Sequence, residues 1–203
     1  MNRFNIIFEN AVRLHDLTIG HILSEEDDKT VEVLNKMSIP SNWIRNNYND
    51  FINSLNKSSR PGFLTHYTPE ELKQKGVQTF QLNGYNIGYA LDKQEDGNVD
   101  IICVHNNEPQ VHNIADVLLQ QAKNNGGTQL DHFDGKLSDI YSRNGFEEYD
   151  RAKWNDEYAP YDWDYEKYGR PDVVFRRINQ NKFNEWIDKV KTFEQRLNRI
   201  PRQ

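Results

Sequence analysis

Apolar residues fall at helical spacing toward both ends of the chain and at strand spacing through its middle. Near the start, Ser24 suits a helix N-cap ahead of "EEDDKTVEVLNKM", whose first acids complement the helix dipole. After Pro40, Ser41 is placed to open a second helix, with Ile44, Tyr48, Phe51, Ile52 and Leu55 at helical spacing. "NKSSRPG" then breaks the pattern. In "HYTPEELKQKG", Thr68 takes the N-cap, Pro69 the first helical position and Glu71 the capping-box position; Gly76 is the stop. Tyr67 and Leu72 occupy hydrophobic-staple positions.

Three strands come in quick succession: "VQTFQL", "NIGYALDK" and "NVDIICVH". "NG" and "EDGN" separate them with hairpin-turn chemistry, so an antiparallel meander is predicted. The third run alternates poorly and stays apolar through Val104, as a central strand does. "NIADVLLQQAKNNGG" predicts a helix with Ile114, Val117, Leu118 and Ala122 on one stripe, closed by Gly126 and Gly127. "TQLDHF" reads as a strand. "LSDIYSRNGFEEYD" reads as a short helix stopped at Asn144–Gly145 and a strand opening at Phe146. After an aromatic, acidic segment to Pro171, "DVVFRRI" is a last strand, and "NKFNEWIDKVKTFEQRLNRI" an amphipathic helix packed on the body.

Composition narrows the class. Of 203 residues, 36% are hydrophobic, 28% charged and 12% aromatic, so aromatic rings supply core volume that sparse aliphatics do not. That size suits one α/β domain with a helical annex. A net charge of −6 provides no footprint for a phosphate backbone, so no nucleic-acid partner is expected. Cys103, the single cysteine, excludes an intramolecular disulfide and a cysteine-rich zinc site; within "VDIICV" it reads as inert packing. The opening "MNRFNIIFENAVRLHD" lacks the apolar core of a signal peptide, and no window approaches a membrane span. The chain reads as cytoplasmic.

Chemistry is most concentrated after the third meander strand, in "HNNEPQVHNIA". A strand, a loop and a helix start present backbone N–H groups and the positive end of a dipole, which together suit an anion. Asn113 stands where close backbone approach would favour glycine, although Asn does tolerate left-handed geometry.

The order of meander, helix, strand, helix ending "YSRNGF", strand and final strand resembles the GNAT (Gcn5-related N-acetyltransferase) superfamily over roughly residues 79–178. The best-fitting pieces are "QVHNIADVLLQQA", "GGTQLDHF" and "LSDIYSRNGFEEYD". The family's pyrophosphate motif is Gln or Arg, two residues, Gly, one residue, then Gly or Ala. Gln110 and Ala115 match it, while Asn113 replaces the first glycine. The wider run "LDHFDGKLSDIYSRNGF…WNDEYAPYDWDY…GRPDVVF" looks like GNAT-like domains encoded by phages and mobile elements.

The resemblance implies an α/β (α+β) fold with a mixed, mostly antiparallel central sheet flanked by helices. It implies a mostly helical annex over 1–62, a GNAT-like domain over 63–178 and a C-terminal helix over 179–203. Acetyl-CoA would lie between the strands Asp100–Val104 and Thr128–Phe133, against the backbone of Ile102 and Val104. Its pyrophosphate would meet Gln110, His112, Asn113, Ile114 and Ala115. Tyr141 matches the tyrosine that gives a proton to the departing thiolate, and a phenol with a reference pKa near ~10 holds that proton at neutral pH. A base must take the amine's proton. Asp100 and His105 flank the central strand as first candidates, with His112, Asp131 and His132 as alternatives. The implied activity is acetyl transfer to an amine, in a host cytoplasm if the chain is phage-encoded. A non-catalytic module that inhibits a host protein and a virion structural or assembly protein are the rival readings.

Blander readings stand beside these. Tyr141 equally suits packing under the sheet with Leu137 and Ile140. "LDHFD" places Asp131, His132 and Asp134 together, yet neighbouring strand positions face opposite ways, so no metal site is expected. From Glu147 to Asp172 nine acids face four bases, and "WNDEYAPYDWDYEKYGRP" carries six large aromatics, including Trp154, Tyr158 and Tyr161. Such a surface over 154–171 suits a basic host protein or peptide through charge and cation–π contact, or else is a loop laid across the domain.

Overall fold

The computed structural model describes residues 28–59, 61–161 and 163–179; the Ser24 cap and the tail helix lie outside them. Seven strands form one sheet: β1 (Trp43–Arg45), β2 (Gln78–Leu82), β3 (Ile87–Lys93), β4 (Val99–Asn106), β5 (Gln129–Phe133), β6 (Phe146–Ala152) and β7 (Val173–Ile178). Their spatial order is β1-β2-β3-β4-β5-β7-β6. Every neighbouring pair is antiparallel except β4 and β5, which run parallel. A crossover helix is what a parallel pair requires, and α4 (Ala115–Asn124) supplies it.

Helices cover both faces. On one, α1 (Asp28–Met37), α4 and α5 (Lys136–Arg143) bury Val33, Met37, Leu118, Leu119 and Tyr141 against Leu82, Tyr89 and Leu130. On the other, α2 (Tyr48–Leu55) and α3 (Pro69–Lys75) bury Phe51, Leu55 and Leu72 against Ala90 and Cys103. A four-residue helix, α6 (Tyr165–Tyr168), lies in the β6–β7 connection. The result is the mixed, mostly antiparallel sheet flanked by helices that the element order anticipates. Fully buried Tyr89 stacks on Phe80 at 4.8 Å and meets Trp43 at 5.6 Å. Burying a ring of this size contributes roughly 1.5–3 kcal/mol.

Local chemistry explains the element ends. Thr68 and Glu71 form the reciprocal capping box, and Gly76 closes α3 at φ 71°. One expectation fails: Ser41 does not start a helix. Pro40–Asn42 is a 3-10 turn, Trp43–Arg45 joins the sheet, and α2 begins after the N-cap Asn47. Asn46 is the cause. At φ 56° it leaves helical geometry, and it holds β2 by accepting from Thr79 N–H and donating to Thr79 C=O. Within 1–62, the described residues therefore contribute a strand to the common sheet and side chains to both cores.

A bulge in β4 and a tight start to β5 set the geometry between these two strands. Gly88 pairs with His105 and Ala90 with Ile102, so Tyr89 faces two residues, and Cys103 in that bulge takes φ 53°. A bulge bends its strand and resets which face each side chain takes. Ile101 and Val104 accordingly pack on the α1/α4 side, Ile102 and Cys103 on the α2/α3 side. At the start of β5, Gly127 leaves room that a Cβ would take from Ile101, at 2.5 Å. Thr128 then reaches β4, its N–H donating to Val99 C=O at 2.8 Å while its Oγ1 accepts from Val99 N–H at 2.8 Å.

Candidate functional site

Beyond that closed end the two parallel strands part. Asp100 and Gln129 are their single Cα pair, and no further pairing continues along either strand. Gly127 and Thr128 pin the start, and the bulge at Cys103 interrupts β4 just past the pair. Ile102 and Val104, expected to meet the cofactor, lie in the part of β4 that has no Cα pair on β5.

The loop from β4 to α4 borders this gap's neighbourhood. Asn106 Nδ2 donates to Val111 C=O at 2.7 Å. His112 N–H donates to Thr30 Oγ1 at 3.1 Å, and Thr30 Oγ1 donates to Gln110 C=O at 3.4 Å. Thr30, buried in α1, is a site neighbour that sequence reading missed; a lone threonine in "DKTVEVLNKM" carries no signal. Gln110, His112 and Asn113 expose their side chains, whereas Ile114 is buried and contributes only backbone. Asn113 takes φ 56°, the left-handed geometry for which the motif's glycine is suited. Ile114 sits at the N-cap of α4 with no side-chain cap bond. Asp116, in the first turn, is neutralised by Arg143 at 2.6 Å, which also ties α4 to α5.

Tyr141 lies on the α4/α5 side, 9% exposed, its ring 4.8 Å from His132 and 6.4 Å from Phe146. Among the described residues its hydroxyl makes no hydrogen bond, yet it is not sealed in; the one buried side-chain polar atom without a partner is Gln81 Oε1. Burial, and then the charge of Asp131, push its pKa up to about 12. His132 donates from Nδ1 to Phe133 C=O at 2.7 Å and accepts from Arg176 Nε at 2.9 Å. It is therefore the neutral Nδ1–H tautomer. Arg176 also escaped the sequence reading. Its signal is alternation in "DVVFRRI", which puts it on the buried face with Val174.

The candidate bases separate. His105 is 4% exposed, donates from Nδ1 to Cys103 C=O and accepts at Nε2 from Ser54 Oγ at 2.8 Å. Burial drives its pKa down to about 4. With both nitrogens engaged and its ring against Phe51, it is a core histidine. Asp100, at the closed end of the gap, accepts from Gln129 Nε2 at 2.6 Å, and loss of water raises its pKa. Asp131 lies further along β5 on the same face as Gln129; it is exposed to solvent, and crowding by surrounding protein, then the charge of Asp100, raises its pKa. Its charge acts on Tyr141 and also on Tyr67 from the α2/α3 side. Asp131 and His132 do face opposite ways. Among the described residues no cluster of three or more His, Cys, Asp or Glu is placed to hold a metal, and no helix is long and apolar enough to cross a membrane.

The aromatic segment folds back over the end of β5. Phe133 meets Trp154 at 5.6 Å and Trp163 at 4.7 Å, and Phe63 meets Trp163 at 4.9 Å and Tyr168 at 4.7 Å. These rings fill one another's space. Three of its four bases are spent in ion pairs: Arg151, Lys153 and Arg170 pair with Asp134, Asp172 and Asp156. Tyr158 and Tyr161 stand out, 84% and 90% exposed. Tyr161 meets His66, which helps line a hollow of about 290 Å³ with Leu55 and Leu64.

No protein-family model matches the sequence, and no curated protein matches it. Among solved structures, the crystal structure of N-acetylglutamate synthase from Neisseria gonorrhoeae complexed with coenzyme A and L-arginine is similar, at 17% identity and a TM-score of 0.38. The match covers 64% of this chain and 31% of that one.

Proposed function

We propose that this chain binds acetyl-CoA in the gap between β4 and β5 and transfers its acetyl group to an amine. The observation that carries the reading is the parallel pair that meets at Asp100–Gln129 and is not continued along the two strands, with β4 bulged at Cys103. Strand edges left without a partner are costly unless something pairs with them, and an extended pantetheine offers amide groups that can.

The residues present fit that cofactor. Backbone of Ile102 and Val104 would pair with the pantetheine, and the start of α4, from Asn113 to Ala115, would receive the pyrophosphate. Asn113 in left-handed geometry does the backbone work of the missing glycine. When bound, acetyl-CoA supplies an activated carbonyl and a thiolate leaving group. Tyr141 holds its proton at neutral pH and would give it to the leaving sulfur, and the surplus proton that the nitrogen sheds as the amide forms would restore the phenol. Asp131 takes the ammonium proton before the nitrogen bonds to the acetyl carbon; a carboxylate held above its usual range is the stronger base. The α2/α3 side, with its raised carboxylates, is where a cationic acceptor would approach. We read that acceptor as a basic protein or peptide, drawn by the acidic segment and by Tyr158 and Tyr161. The likeness to phage and mobile-element domains supports a host protein in that place.

Titration calorimetry with acetyl-CoA tests the proposal. The expected result is saturable one-to-one binding with a micromolar Kd, about −8 kcal/mol. Absence of binding would leave the second reading, a non-catalytic module that captures its partner through the exposed tyrosines.

A further inference from the structure

The buried face of β7 holds a charge that the proposed reaction does not use. Arg176 is 6% exposed. Its Nε donates to His132 Nε2 at 2.9 Å, and its Nη1 donates to Ser142 Oγ at 2.9 Å and to Phe146 C=O at 3.1 Å. None of these partners carries a negative charge. Glu148, which feels the field of Arg176, gives both carboxylate oxygens to Arg151. A guanidinium buried without a carboxylate is expensive, and replacing it with an apolar group of similar size is often neutral or stabilising. Holding the end of α5 accounts for part of its presence, because cations suit a helix C-terminus.

What remains is its bond to His132. A donor on Nε2 forbids a proton there, so the other nitrogen must carry it, and Nδ1 donates to Phe133 C=O. One tautomer and one ring plane result. Tyr141 packs on that ring at 4.8 Å with a tilt of 57°. Asp134 and Arg151 also act on His132 from the ends of β5 and β6, with opposite signs.

We propose that Arg176 is a positioning residue: it locks His132 as the neutral Nδ1–H tautomer, and that ring holds the Tyr141 ring packed on it in one orientation. This rests on the acetyl-transfer reading for its consequence and on geometry alone for the tautomer.

The test pairs a spectroscopic readout with kinetics. In wild-type protein labelled with 15N-histidine, His132 should show a protonated Nδ1 and a bare Nε2, without titrating from roughly pH 5.5 to 8. Arg176→Met should mix the tautomers and move the His132 titration upward, while burial still holds it below the ordinary imidazole range. It should cut kcat at least ~10-fold while the KM for acetyl-CoA stays within about twofold, and Arg176→Lys should recover part of the loss. An unchanged His132 signal in Arg176→Met, or an unchanged kcat beside a changed signal, overturns the proposal. If Arg176→Met does not fold, His132→Gln and His132→Leu replace it. Gln keeps an acceptor for Arg176 and should hold kcat within about threefold, while Leu should lose at least ~10-fold; equal losses overturn the proposal. No transfer by wild-type protein, with the histidine signature present, defeats the transferase reading and leaves the tautomer lock supported.

Discussion

Tyr141 and His105 show how little a residue's identity says before its surroundings are known. Both were readable as candidates, one for its motif position and one for flanking a central strand. Among the described residues the Tyr141 hydroxyl has no hydrogen-bond partner, whereas both His105 nitrogens have one. Tyr141→Phe should therefore lower kcat about 100-fold with little change in acetyl-CoA affinity, measured by steady-state kinetics and calorimetry. An equal loss of both would make the tyrosine structural. For His105, the folded pKa of about 4 lies below its unfolded value, so the unfolded chain binds the proton first. Stability is intact above about pH 6.5 and falls as pH drops toward 4, by up to about 3 kcal/mol. Urea unfolding across that range should show the slope in wild type and lose it in His105→Gln. Neither partner of His105 was legible: Ser54 is 51 residues distant in sequence, and the Cys103 carbonyl turns inward only because of the bulge.

Elements were more legible than residues, for a physical reason. Caps, turns and periodicity act over a few residues, so the α3 capping box, the hairpins and the Gly145 stop at φ 86° could be read from the chain. β1 could not. Its three residues sit between a proline turn and a helix, and only Asn46 bonding to distant Thr79 makes them a strand. The bulge at Cys103 was hidden as well; it appears in the sequence merely as poor alternation in "VDIICV". The parted strands depend on a tight start. Gly127→Ala would drive a Cβ into Ile101 at 2.5 Å and toward Ala122 C=O at 3.1 Å. We expect it to cost ~1–3 kcal/mol in chemical denaturation and to weaken acetyl-CoA binding by moving β5. Full binding with full stability would show that the start of β5 does not set the gap.

For the whole molecule, the fold arranges two sides with different work. The α4/α5 side carries the motif loop, Tyr141, His132 and Arg176; the α2/α3 side carries Asp100, Asp131 and the approach to the aromatic segment. Net charge and aromatic content suggest the basic partner proposed above, and where its surface would lie depends on how the β6–β7 connection returns over Phe133. Tyr158→Ala with Tyr161→Ala should leave the melting temperature unchanged, since both rings are exposed, and should raise the KM for a lysine-rich peptide several-fold. An unchanged KM would remove the segment from acceptor binding. Whether a cofactor fills the gap between β4 and β5 can be read residue by residue from backbone-amide NMR during titration with acetyl-CoA. Saturable shifts are expected at Ile102, Val104 and Asn113–Asp116, with β1 and β2 unmoved. Saturating acetyl-CoA that leaves those amides in place would contradict a cofactor in the gap.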